Sequence, residues 1–446
     1  MSSNPLVTRR DLLRAALLPA GAAALAASGC GRGLQRTADG RREVVYWTGW
    51  SGAELAEQEK LVAQFNRENP RVRCRILTQF GQSGYQKVRI AFAGGATPDV
   101  MSTVWAEELA GYALRGVLTP LDDYLKRSGR DLDAEFTPGV ARMLRVGGQT
   151  YGLAVTTNTA FIAYNRSIFR EVGLDPDRPP TTTEELDRAA KLCTEYEANG
   201  SFRRYGFRPG SLQLWAYVFG GQWYDVASGT VTAAHPGNLA ALTWLQSYAR
   251  EYDLRRMQAF QTTFGSDQTP SGPFFVGKIA MWQTGEWAQE FIRRYAPNLD
   301  WGWFALPPPA DGTGRTNVTP AGGSVFVIPK ACPDKEAAWE FLNWLTSPGP
   351  VAQFCKGVHN VPPLIAAAEV DPYFHTDPLY RFCVPIAQGE NAFGPPPTPV
   401  WPTYSREIGR VEEKVMLGGA DPKQALEELQ RRMEKEQRLV QEDLGR

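Results

Sequence analysis

Short apolar runs with a strand period alternate with longer segments of helical period in the first part of the chain. Residues 43–47 (EVVYW) and 72–77 are β-rich, and residues 51–69 between them carry apolar side chains at helical spacing. Strand, helix and strand in this order predict a right-handed crossover and a mostly parallel sheet. Ligands bind such sheets at the carboxyl ends of the strands, where Trp50 and Trp105 fall, so we expect a crevice there.

The run at residues 274–287, FFVGKIAMWQTGEW, combines strand, turn and helix signals. It predicts a buried strand at Gly277–Met281, a tight turn at Thr284–Gly285 and a helix that opens at Glu286–Trp287. Free backbone N–H groups and a large aromatic ring at such a turn suit a ligand with hydroxyl groups and an apolar face. The alternative is that the tryptophans of this run fill a hydrophobic core.

Later segments predict crossings between two bodies. Polar Thr156–Asn158 interrupts an apolar stretch, which indicates a crossing segment. The Pro- and Gly-rich residues 307–314 separate strands expected at 301–306 and 324–328, and they form either a second crossing or a surface loop.

Two further helices follow from capping and amphipathic signals. Thr183 is the expected N-cap of a helix that runs to Leu192. Residues 421–444 carry one apolar stripe among many charges, which indicates a helix lying on the second body with its other side solvated. A coiled-coil partner for this last helix is the alternative.

Size and charge narrow the class of protein. The chain has 446 residues, too many for one compact core, so two domains are expected. The formal net charge is zero, and this balance gives no reason to expect nucleic acid or an anionic surface as a partner.

The N-terminal residues carry targeting signals. We interpret residues 1–29 as a signal peptide, because Thr8–Arg14 resembles a twin-arginine export signal and the apolar run that follows is too short to span a bilayer. Small residues directly before Cys30 resemble a lipobox, in which cleavage leaves Cys30 as a lipid-bearing N-terminus. Residues 30–42 then form a tether to the membrane. Ordinary secretion, or a Cys that merely falls inside a simple signal peptide, is the alternative.

The remaining cysteines and the histidines show no metal-binding spacing. Five cysteines follow Cys30 without a C-x-x-C pair, and an odd number leaves at least one unpaired. Buried free thiols are the favoured interpretation, and bridges between Cys355 and Cys383 or between Cys74 and Cys332 stay open.

Motifs for catalysis or cofactors are missing from the sequence. There is no G-x-S-x-G elbow, no phosphate-binding loop and no dinucleotide fingerprint, so we predict no catalytic residues, no metal site and no cofactor. A pair of distant carboxylates, such as Glu107 with Glu286, leaves a glycan-degrading enzyme as an alternative.

With catalytic, metal and cofactor motifs set aside, the remaining aromatic and polar residues fit a carbohydrate site. A pyranose presents an apolar C–H face that stacks on Trp or Tyr, and a polar rim that bonds to side chains and backbone N–H groups. Each hydroxyl buried without a partner costs roughly 1–3 kcal/mol, so such a site needs polar groups around its aromatics. Trp105 with Glu107 and Glu286 with Trp287 provide this combination.

Several weak motifs occur in an order that resembles one family, the extracellular solute-binding proteins, family 1, of the maltodextrin-binding type, which deliver sugars to ABC importers. The motifs, spread over the mature chain, are GKIAM with GEW, YWTGWSG, TPDVMSTVWAEELAGYALRGVLTPLDDYL, YGLAVTTNTAFIAYNRSIFREVGLDP, GGSVFVIPK and EAAWEFLNWLTSPG.

The resemblance implies an α/β fold of two lobes, each a mostly parallel sheet flanked by helices, joined by several hinge crossings. Residues 43–155 with 306–345 would form lobe I, and residues 156–305 with 346–446 lobe II. A third crossing would then fall near residues 346–348.

The resemblance also implies an exported, lipid-anchored monomer that binds a sugar or oligosaccharide between the lobes and passes it to ABC transporter permease subunits. A glycerol-phosphodiester ligand in the same fold is the alternative. By similarity, the ligand-binding residues are Trp50, Ser51, Trp105, Glu107, Asn158, Trp215, Glu286, Trp287, Gly322, Gly323 and Trp401.

Overall fold

Two five-stranded sheets organise the chain in the computed structural model, which describes residues 34–264, apart from 79–87, 89, 93 and 95–96, and residues 266–444. The first sheet contains, in spatial order, Val72–Thr78, Arg42–Thr48, Val100–Trp105, Ser324–Val327 and Leu153–Ala154. The second contains Trp301–Ala305, Phe161–Asn165, Ile279–Thr284, Phe202–Arg208 and Glu195–Tyr196. Short two-stranded ladders pair Arg145–Val146 with Gln149–Thr150, Tyr224–Asp225 with Thr230–Val231, and Thr319–Pro320 with Ala392–Phe393.

Both sheets mix parallel and antiparallel pairs, with more antiparallel pairing than the pattern predicted. Arg42–Thr48 is parallel to both of its neighbours, as expected for a crossover unit. Ser324–Val327 then enters antiparallel to Val100–Trp105. In the second sheet only Ile279–Thr284 and Phe202–Arg208 pair in parallel. Whether two strands pair in parallel or antiparallel depends on partners that are distant in sequence. The hydrophobic period of one strand carries no information about those partners.

Helices cover the faces of the two sheets. The described helices are Gly52–Glu68, Ala106–Leu114, Asp122–Arg127, Leu132–Glu135, Pro138–Met143, Arg166–Glu171, Thr183–Cys193, Leu212–Val218, Pro236–Tyr252, Leu254–Thr262, Ala288–Tyr295, Lys335–Leu345, Pro348–Val358, Ile365–Val370, Tyr373–Thr376, Pro378–Gln388, Trp401–Gly418 and Pro422–Leu444. Among the described residues, no helix combines the length and the apolarity that a membrane span requires.

Two helix starts differ from prediction by one or two residues. Thr182, and not Thr183, is the N-cap of Thr183–Cys193, because its Oγ1 accepts the Glu185 N–H at 3.2 Å. The helix after the GEW turn begins at Ala288, with Trp287 as its N-cap.

The strand before the GEW turn also lies later than predicted. It occupies Ile279–Thr284, because Phe274–Gly277 forms hydrogen-bonded turns in front of it. The shift carries the strand up to Gly285 and so brings its end directly against the turn.

Segments of chain pass between the two sheets, and we call the first sheet with the helices packed on it the first body, and the second sheet with its helices the second body. Residues 155–160 lead from the first sheet to the second, and residues 306–323 lead back. The helix Pro348–Val358 packs on Gly52–Glu68, with Gly357 against the side chain of Glu57. The chain therefore stays with the first body through Val358, beyond the crossing expected near residues 346–348.

The C-terminal helices lie on the second body. Trp401–Gly418 packs on Leu212–Val218 and Pro236–Tyr252 and also contacts Ala106–Leu114 of the first body. Pro422–Leu444 packs on Pro236–Tyr252 and Trp401–Gly418. The apolar stripe of the last helix is buried at Leu426, Leu429 and Met433, as its spacing predicted.

The cysteines of the described residues are buried and unpaired. These are Cys74, Cys193, Cys332, Cys355 and Cys383. The prediction of free thiols is confirmed, and neither candidate bridge is formed. Cys30 and the export signal lie outside the described residues.

Candidate functional site

Five half-buried residues lie where strand ends and crossing segments meet, and we call them the strand-end cluster: Trp50, Asn158, Trp287, Gly322 and Gly323. The following contacts show how elements that are far apart in sequence bring them together.

Trp50 links the first strand to the late strand of the same sheet. Its backbone N–H donates to Thr48 Oγ1 at 3.2 Å, and its indole Nε1 donates to Ser324 Oγ at 3.1 Å. Its ring meets the edge of Phe354, with ring centroids 6.5 Å apart. These contacts hold the indole at the carboxyl end of Arg42–Thr48, where the pattern predicted a crevice.

Gly322 and Gly323 let the two crossing segments approach closely. Gly323 has φ +129°, and a Cβ there would lie 2.2 Å from the carbonyl oxygen of Thr156. Only glycine fits this position. At Gly322 a Cβ would meet nothing closer than Asn158 Nδ2, at 3.8 Å. The Asn158 amide therefore lies beside an open stretch of backbone.

Glu286 lies beneath the cluster and is fully buried. One carboxylate oxygen accepts hydrogen bonds from Thr159 N at 2.9 Å and Thr159 Oγ1 at 2.8 Å, and the other accepts one from Asn360 Nδ2 at 3.0 Å. Burial raises the pKa of this carboxyl, and the bonds from Asn360 and Thr159 oppose that rise. Both oxygens are occupied by protein groups, so the carboxylate fastens the first crossing segment to the GEW turn.

Trp287 folds back over the glycine of that turn. A Cβ at Gly285 would lie 2.3 Å from the Trp287 ring and 2.8 Å from the carbonyl oxygen of Thr159. The residue is half-buried, so part of its surface stays accessible. Glycine at position 285 thus allows one indole to lie against the first crossing segment.

The structure places three other predicted residues at the edge of this region. Trp105 ends its strand and pairs with Ser324 through the backbone, and its side chain lies outside the described residues. Glu107 is exposed in the first turn of Ala106–Leu114. Ser51 is exposed and is the N-cap of Gly52–Glu68, although its side chain makes no capping bond. Their roles as ligand contacts stay predictions.

The remaining two predicted tryptophans lie inside the second body. Trp215 is fully buried, 4.4 Å from Trp244 by ring centroids, and its Nε1 donates to Gln283 Oε1 at 2.9 Å. Trp401 is buried against the edge of Tyr404, and its Nε1 has no hydrogen-bond partner within the described residues. A ring enclosed on both faces contributes to packing, and a ligand role for these two stays a prediction.

Sequence reasoning missed three polar partners at this site: Ser324, Thr159 and Asn360. Thr159 carried a usable signal, because it is a hydroxyl residue two positions before the buried strand Phe161–Asn165. Asn360 carried none, since its partner Glu286 is distant in sequence.

Comparisons with known proteins agree with this architecture. The sequence profile of the bacterial extracellular solute-binding proteins matches residues 50–352. The structure of CpMnBP1 with mannotriose bound superimposes with a TM-score of 0.76 at 26% identity, covering 87% of this chain and 98% of that one.

Two relatives extend the match. The maltotriose-binding protein of Pyrococcus abyssi is 23% identical over 351 residues, 77% of this chain and 71% of the relative. The sn-glycerol-3-phosphate-binding periplasmic protein UgpB of Pectobacterium atrosepticum is 22% identical over 345 residues, 74% of each. Since the family profile spans more than half of the sequence, the chain belongs to the bacterial extracellular solute-binding proteins.

Proposed function

We propose that this solute-binding protein is the receptor of an ABC importer, that it binds an oligosaccharide at the strand-end cluster, and that it delivers the sugar to membrane permease subunits. The observation that carries the proposal is that Trp50 and Trp287 are both half-buried on different bodies, and that the half-buried Asn158 lies beside Gly322 on the crossing segments. These residues supply both aromatic rings and polar groups, and a sugar ring requires both.

The chemistry of each group suits a pyranose. An indole with one accessible face stacks on the apolar C–H face of the ring. The Asn158 amide both donates and accepts hydrogen bonds, which matches hydroxyl groups that do the same. The backbone of the half-buried Gly322 adds further donors and acceptors. The similarity to proteins that bind mannotriose and maltotriose supports a ligand of more than one sugar.

The position of the two indoles on different bodies supports capture by closure. Trp50 belongs to the first body and Trp287 to the second, and residues 155–160 connect the two. A ligand that touches both shifts an open and closed equilibrium by its difference in affinity for the two states.

Calorimetric titration with mannotriose, maltotriose and a glycerophosphodiester tests the ligand class. We expect a trisaccharide to bind, and Trp287→Ala to weaken its binding roughly tenfold or more because one stacking face is lost. Trp303→Ala is the matched control, since Trp303 is also half-buried but lies on the edge strand of the second sheet. Binding of the diester alone would show a different ligand class, and hydrolysis of the sugar would contradict a receptor.

Export with a lipid on Cys30 completes the proposal. The family is extracellular, and residues 27–30 carry the lipobox-like pattern. Cys30→Ala is expected to move the protein from the membrane fraction to the soluble exported fraction. An unchanged distribution would contradict the anchor and leave the binding proposal intact.

A further inference from the structure

A cavity of about 560 Å³ lies between the two bodies, and none of its lining residues belongs to the strand-end cluster. Its volume falls in the range of small-ligand sites. Arg142 and Arg145 line it from the first body, and Arg315 lines it from the segment that returns from the second. No acidic residue is among its described lining, so the cavity concentrates positive charge.

Only one of these arginines is neutralised. Arg145 makes two parallel bonds to the Asp133 carboxylate, at 2.5 and 2.8 Å. Among the described residues, Arg142 donates only to backbone carbonyls, at Glu390 (3.2 Å) and Ala392 (3.0 Å). Its side chain is otherwise exposed on the cavity rim. Each carbonyl bond leaves the positive charge in place.

Arg315 is the more buried of the two unneutralised arginines. Its Nη1 donates to the carbonyls of Tyr217 at 3.1 Å and Gly221 at 2.7 Å, and its guanidinium lies 5.4 Å from the centroid of the Phe393 ring. Burial lowers its pKa, which reflects a charge held away from water. In the described part of the chain, no carboxylate lies within ion-pair distance of Arg315 or Arg142.

An aromatic wall completes the cavity. Phe393 stacks on Tyr217 with ring centroids 4.1 Å apart and ring planes 3° from parallel, and both residues line the space. Arg142 and Arg315 are therefore two guanidinium groups of the lining that no described carboxylate pairs. A phosphate monoester carries about −1.5 to −2 at neutral pH, and guanidinium groups bind phosphate through paired N–H donors.

We propose that this cavity is a second binding site, for a small phosphate monoester whose phosphate lies between Arg142 and Arg315 and whose organic part covers the Phe393 and Tyr217 rings. Because the occupant touches both bodies, its binding is linked to their relative position.

Calorimetric titration of the full-length protein with glucose 6-phosphate, inorganic phosphate and glucose tests the site. We expect glucose 6-phosphate to bind more tightly than inorganic phosphate, and glucose to leave this site empty. Arg142→Glu reverses the charge of an exposed residue, and it is expected to weaken phosphate-ester binding roughly a hundredfold. Arg315→Lys keeps the charge but loses the paired donors, and it is expected to weaken binding about tenfold.

The control variant is Arg255→Gln, which removes an exposed arginine that forms no ion pair in the described residues and lies outside the cavity. It is expected to bind glucose 6-phosphate like the unmodified protein. Thermal unfolding of each variant shows whether it is folded. The proposal is overturned if the unmodified protein does not bind the ester at millimolar concentration, or if folded Arg142→Glu binds it as tightly. Trisaccharide binding is measured separately, so loss of one site is distinguishable from loss of the other.

Discussion

Tryptophans at the strand-end cluster and tryptophans inside the second body look alike in sequence but differ in their surroundings. Trp50 and Trp287 are each half-buried, so part of each residue stays accessible. Trp215 and Trp401 are enclosed on all sides. A fully enclosed indole stabilises the fold, whereas a partly accessible one can bind a ligand at little cost to the fold. The two pairs should therefore respond to mutation in opposite ways.

The largest effect is expected for Trp215→Ala. Removing a fully buried ring beside Trp244 leaves a cavity and takes one donor from Gln283, which should lower the free energy of unfolding by about 3–5 kcal/mol. Urea unfolding followed by tryptophan fluorescence measures this loss. Trp303→Ala serves as the comparison, with a much smaller loss expected. Equal losses in the two variants would break the distinction between enclosed and accessible rings.

Glu286→Ala comes next, because Glu286 fastens the crossing segment beneath the accessible rings. The change strands Thr159 N, Thr159 Oγ1 and Asn360 Nδ2 without an acceptor, and each buried unpaired group costs roughly 1–3 kcal/mol. We expect an overall loss of about 3 kcal/mol or more by urea unfolding. Glu286→Gln keeps an acceptor and the side-chain volume, so a smaller loss is expected. Equal losses for Glu286→Ala and Glu286→Gln would show that these hydrogen bonds do not contribute to stability.

The raised pKa of Glu286 predicts that the free energy of unfolding depends on pH. The pKa of Glu286 is raised above its ordinary value of 4.5, so above pH 4.5 the folded protein holds this proton more firmly than the unfolded chain. Its contribution to stability therefore falls as pH rises from 4.5 towards the folded pKa, with a slope of at most about 1.4 kcal/mol per pH unit. Comparing the free energy of unfolding of the unmodified protein with that of Glu286→Gln across this pH range isolates the contribution of Glu286. A contribution that rises with pH would contradict it.

Trp50→Phe should have the smallest effect on the fold. It removes the 3.1 Å bond to Ser324 and keeps an aromatic ring at the cluster, so the expected loss is about 0.5–1.5 kcal/mol. Sugar affinity should fall only a few-fold, because a stacking face remains. Loss of more than about 3 kcal/mol would place Trp50 with the enclosed tryptophans.

The sequence predicted the positions of strands and helices better than it predicted which residues pack around each side chain. Hydrophobic period located Arg42–Thr48 and Ser324–Val327 to within a residue, since period depends on neighbours along the chain. The polar break at Thr156–Asn158 correctly marked a segment between the sheets. Local patterns did not separate Trp215 from Trp287, because enclosure depends on packing partners that are distant in sequence.

Ser324–Val327 lies between Val100–Trp105 and Leu153–Ala154 in the first sheet. Those two strands are made early during synthesis, and the strand that separates them is made much later. A nascent chain that stops before Ser324 therefore exposes two unpaired backbone edges. Contacts of such long sequence separation slow folding, and unpaired edges favour aggregation. Folding of the first body therefore cannot be completed until most of the polypeptide has left the ribosome.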